Sequence, residues 1–84
     1  MPQYMDIHKN VKGLTPKALA EASRKDIEVQ EKYGVKFVNY WYNEDDGIIF
    51  FLYEAPDKEA VAAAHREVHG GMADEIVEVK TCEE

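Results

Sequence analysis

The chain has 84 residues, 45% of them apolar and 11% aromatic, with 17 acidic side chains against 10 basic ones and a formal charge of −7. That length makes one domain, residues 1–84, whose folding removes only about 60% of the unfolded surface from water, so the generous apolar content calls for a second buried surface, most simply between two copies of the chain. The negative balance, with basic residues scattered rather than striped, excludes phosphate backbones and anionic bilayers as natural partners: no nucleic acid and no membrane.

Tyr4-Met5-Asp6-Ile7-His8 alternates with period two and predicts a first strand, Met5 and Ile7 on one side and Tyr4, Asp6 and His8 on the other. Thr15-Pro16 is an N-cap hydroxyl followed by a proline where helices tolerate one, and Gly34 suits a left-handed stop, so a helix is predicted over 15–33. Its inward stripe includes Leu19, Ala22, Val29 and Tyr33, with Ala18 and Ile27 at the margins. Asp26 falls between Ala22 and Val29 with Gln30 a turn beyond, either on the stripe with a partner or at its wet edge.

Two runs rich in β-branched and aromatic residues, 35–42 and 48–54, flank a loop ending in Asp46-Gly47 and predict an antiparallel hairpin. Phe37, Asn39 and Trp41 share one face of the first run, and both faces of the hairpin are apolar, so something beyond the helices must cover the sheet. Asp57 is the expected N-cap of a second helix, 58–69, closed by Gly70-Gly71; Val61, Ala64 and Val68 form its stripe with His65 beside it. The alternating run 75–79 makes a last strand, followed by a polar tail that is expected to fray. The lone Cys82 rules out an internal disulfide framework. With neither an export-like leader nor ~18 consecutive apolar residues, a cytoplasmic location is expected.

The order βαββαβ with a tight central hairpin predicts an α+β, ferredoxin-like sandwich: a four-stranded antiparallel sheet in order 4-1-3-2 with both helices on one face. His8, His69 and Glu75 then come to similar height at one edge, with His8 on the face turned away from the helices. The set Asp6-Ile-His8, Asp26-Ile-Glu-Val-Gln30, Tyr33-Gly34-Val35, Tyr40-Trp41, Glu54-Ala-Pro-Asp57 and Ala64-His65-Arg66-Glu67 resembles a family of small bacterial proteins known as a domain of unknown function, one branch of which binds nickel. The resemblance covers nearly the whole chain and implies a ferredoxin-like fold, a homodimer forming a barrel-like α/β assembly, and divalent metal at the dimer surface.

From the residues themselves, a metal reading rests on His65 and His69. They stand four apart on the second helix, a spacing at which two imidazoles can chelate nickel, copper or zinc, with further donors from His8, Asp6, Glu75 or a second subunit. The expected role is a homodimer that sequesters or stores a divalent transition metal, nickel foremost, without an organic cofactor. A competing use of His65 is a core hydrogen bond to Asp26 with Gln30 alongside, and His69 at the helix end would also suit the helix dipole. The rival function is a small-ligand site, or cofactorless oxygen chemistry, in a cavity between two sheets lined by Tyr4, Asp6, His8, Asn39 and Trp41, residues that serve equally well as plain interface core. No positioned nucleophile or oxyanion donor is visible, so catalysis is not the expected role.

Overall fold

Six elements follow one another: β1 (Gln3–His8), α1 (Pro16–Tyr33), β2 (Lys36–Asn43), β3 (Ile48–Glu54), α2 (Lys58–His69) and β4 (Glu75–Val79). The computed structural model describes residues 2–69 and 73–80, without the side chain of His69. The Gly70-Gly71 helix stop, Cys82 and the tail from residue 81 lie outside those residues.

Local chemistry sets the boundaries. Thr15 keeps an extended backbone and its hydroxyl oxygen accepts from the Ala18 N–H at 3.1 Å, with Pro16 in the first turn of α1. Gly34 ends the helix at φ 68°, its N–H donating to the carbonyls of the last turn. Asp57 caps α2 through the Ala60 N–H at 2.8 Å.

The strands pair antiparallel in the order β2-β3-β1-β4, so β1 and β3 are central. The order predicted for a ferredoxin-like α+β fold is therefore the one found. α1 packs over β2, α2 over β4, and the helices pack against each other, so the middle of β1 lies beneath the groove between them. The body measures 33 × 32 × 19 Å, a slab one sheet and one helix layer thick.

The two faces of β1 are the reverse of those expected. Tyr4 and Asp6 are buried, and His8 packs among residues of both helices, so this row faces the helices rather than away from them. Met5 and Ile7 lie on the open side. The alternation itself was right; its assignment by polarity was not, because the helix side holds a partnered carboxylate while the open side carries the apolar row. A bulge between Phe37 and Asn39 makes a second correction. It turns Phe37 toward the helices with Tyr40, whose ring centroid lies 6.0 Å away, while Asn39 and Trp41 stay on the open face.

On that open face the register aligns Trp41, Phe50 and Ile7 in one cross-strand row and Asn39, Leu52, Met5 and Val77 in the next. Trp41 is 46% exposed and Val77 44%. On the helix side, Phe51, Tyr53, Ile49 and Tyr4 of the sheet join Leu19, Val61 and Ala64 of the helices in the buried core.

Gly47 connects the hairpin to the loop between β1 and α1. It has φ 65°, its carbonyl accepts from the Val11 N–H at 2.9 Å, and a Cβ there would stand 2.8 Å from the Val11 carbonyl oxygen. Gly47→Ala is expected to lower unfolding free energy by about 2 kcal/mol, from left-handed strain plus the clash, measured as a shifted urea midpoint with an unchanged slope.

Candidate metal centre

Asp6 is the centre of the site. On β1 it stands opposite Phe51 of β3 and Ile76 of β4, and its side chain is fully buried. Two residues on, His8 projects from the same strand face and brings Nε2 to 3.3 Å from Asp6 Oδ1. From above, α2 presents His65 on the stripe of Val61 and Ala64, with Nδ1 at 3.8 Å from Asp6 Oδ2. The imidazole rings lie 4.6 Å apart at 38°, and His8 also packs edge-on against Phe51 at 5.7 Å.

One carboxylate oxygen and one nitrogen from each ring fall within 4.8 Å of one another. Bonds of about 2.1 Å put donors about 4.2 Å apart when opposite across an ion and about 3.4 Å apart around a tetrahedral one, so the widest separation would close by at least about half an ångström to hold one. The donor set is mixed nitrogen and oxygen, which suits a divalent ion of the nickel, copper and zinc group. The carboxylate lies beside one nitrogen of each ring, so an ion entering the group would come between Asp6 and those nitrogens.

The electrostatics favour a cation. Asp26, on α1, is also buried and accepts a hydrogen bond from the Tyr53 hydroxyl at 3.1 Å. Burial, then the charges of Asp6 and Asp26, push the Tyr53 hydroxyl well above its usual range, which keeps it protonated and donating. Two carboxylates thus share one small core with the two imidazoles.

An open cleft of about 280 Å³ adjoins the centre. His8 and His65 form part of its wall, and Val11, Leu14, Leu19, Ala22 and Phe51 make most of the rest, with Lys12 also on the lining.

The other predicted residues fall elsewhere. Asp26 lies on the buried stripe rather than at a wet edge, with Tyr53 as a donor. The Gln30 side-chain oxygen accepts from the Phe37 N–H at 3.1 Å, tying α1 to the start of β2. Glu75 is exposed and pairs with Lys9 at 3.0 Å. Tyr4 is on the helix side of β1 with Asp6, whereas Asn39 and Trp41 lie on the opposite face of the sheet, so these four do not line one cavity with His8. His69 stands one turn beyond His65 on α2, with its side chain outside the described residues. Leu19 and Ala22 were read from the sequence only as the inward stripe of α1, and neither they nor Leu14 and Phe51 were assigned to a site; the turn after β1 and the small residues of α1 are the signals that could have marked them.

Fold and site together define a small ferredoxin-like domain in which a strand carboxylate and two imidazoles converge beneath the helices. The family model described as nickel responsive protein SCO4226-like matches residues 4–79, and the chain belongs to that family. A similar solved structure is that of SCO4226 from Streptomyces coelicolor A3(2), 36% identical, covering 96% of this chain and 99% of that one with a TM-score of 0.87. No functionally curated protein matches the chain.

Proposed function

We propose that the protein is a homodimeric, cytoplasmic binder of a divalent transition metal, nickel foremost, that sequesters or stores the ion. The observation that carries this reading is the convergence of Asp6, His8 and His65 around one point. The order of affinities expected of such donors places copper above nickel, so the preference for nickel rests on the family's description as nickel responsive rather than on the donors. Uptake requires each imidazole to turn a bare nitrogen to the ion, so the ion replaces the contacts of those nitrogens with Asp6.

Dimerisation is supported by the apolar rows of the open sheet face, which the chain's own helices do not cover. Among the described residues no helix is long and apolar enough to cross a membrane.

Metal analysis of the protein as isolated, with calorimetric titration of nickel, copper and zinc and the mass in solution, tests the reading. Stoichiometric nickel uptake by a species of twice the chain mass is expected. A flat nickel titration would remove the metal function, and a monomer at high concentration would remove the assembly.

A further inference from the structure

We infer that the cleft beside the imidazoles is a binding site for a small uncharged organic molecule, about one ring in size, and that it takes this ligand without help from an ion. His8 Nε2, His65 Nδ1 and both Asp6 oxygens are buried. The His8 side chain is nonetheless 16% exposed, so the cleft meets the remainder of that side chain. Cleft and metal centre share two residues, but the atoms that would hold an ion are shut away from a ligand in the cleft.

The lining sets the apolar body. Val11 and Leu14 on the loop, Leu19 and Ala22 on α1, and Ile49 and Phe51 on β3 make the wall, and displacing water from such a recess drives an apolar guest into it. A volume of 280 Å³ corresponds to about nine waters at about 30 Å³ each, the small end of ligand sites, with room for one aromatic ring and a short substituent. The loop side of the wall is fixed in place. The Val11 N–H donates to the Gly47 carbonyl at 2.9 Å, and Asn10 and Gly13 take left-handed backbones at φ 57° and 69°. These constraints hold Val11 and Leu14, both half-buried, along the recess.

Charge sets the rest. Asp6, beside both imidazoles, and Asp26, one turn past Ala22 on α1, are buried in the core next to the cleft, so a carboxylate entering it meets two like charges in a poorly screened region. A cation would give up its water without touching either of them, since neither carboxylate is part of the wall. Lys12 opposes a cation at the rim, and because it is solvent-exposed its pairing with an anion would contribute little. An uncharged guest escapes all of these costs.

The test titrates four probes into the protein as isolated and follows the backbone amide chemical shifts. Benzyl alcohol, benzoate and benzylammonium share a ring and differ in charge; glycerol is uncharged but has no apolar body. Benzyl alcohol is expected to bind about tenfold or more tightly than each of the others, with its shifts centred on residues 11–14, 18–22 and 49–51 and its affinity unchanged by excess chelator. Ala18→Phe, at an exposed helix position on the lining, is expected to weaken benzyl alcohol about tenfold or more, and Ala22→Leu gives a second block should the first variant fold poorly.

Benzoate or benzylammonium binding as tightly as benzyl alcohol would overturn the uncharged class, and glycerol doing so would overturn the apolar one. Shifts that do not saturate, or that centre elsewhere, would overturn the site, as would undiminished binding in a folded blocking variant. Loss of benzyl alcohol binding in chelator would overturn its independence of an ion. A flat nickel titration, which removes the metal function, leaves every one of these expectations in place.

Discussion

His65→Ala is expected to weaken nickel binding about a hundredfold or more, and His8→Ala by a similar factor, because each removes one of the three donors that converge among the described residues. Calorimetric titration at fixed pH reads the loss directly. Both rings sit beside Asp6, so a circular dichroism melt of each variant separates lost affinity from lost fold. His69→Ala is the informative companion. The strand–helix group predicts a smaller loss, about tenfold at most, whereas a loss matching that of His65→Ala would move the ion up α2 to the i, i+4 histidine pair.

A charge on the open sheet face is expected to separate the two copies of the proposed dimer. Trp41→Glu puts a carboxylate into the row of Trp41, Phe50 and Ile7. An aromatic buried in an interface can be worth about 2–4 kcal/mol on truncation, or roughly thirty- to a thousandfold in the dimer dissociation constant. Trp41 is 46% exposed, so the subunit fold should tolerate the change. Sedimentation equilibrium should show the wild type as a dimer and the variant as a folded monomer at the same concentration; identical mass distributions would mean that this face is not where the copies meet.

The elements were legible in the sequence because punctuation and periodicity agreed. Thr15-Pro16, Gly34, Asp57 and the Asp46-Gly47 loop each stand where the backbone required them, and no strand or helix boundary moved by more than about one residue. The ferredoxin-like order followed from those elements. The orientation of β1 did not. Alternation says that Tyr4, Asp6 and His8 share a face but not which one, and the rule that polar residues face water chose wrongly. What decides the matter lies 57 residues beyond His8, where His65 meets the Asp6 carboxylate on the helix side.

The same long-range dependence explains the remaining site residues. Spacing left Asp26 either on the stripe of α1 or at its wet edge; the Tyr53 donor that meets it on the buried side comes from β3, and sequence proximity gives no hint of that pairing. Phe37 left the company of Asn39 and Trp41 because one extra residue in β2 resets the count, a shift that no composition signal announces. His65 was recognised as either a core residue or a ligand. It is buried and it also converges with His8 and Asp6, so burial alone does not separate the two readings.

Anomalous diffraction at the nickel edge, from crystals of the nickel-loaded protein, tests the central claim most directly. A peak is expected at bonding distance, about 2.1 Å, from His8 Nε2 and His65 Nδ1, with an Asp6 oxygen as the third donor. Peaks confined to the outer surface, with Asp6 still in direct contact with both imidazoles, would contradict it.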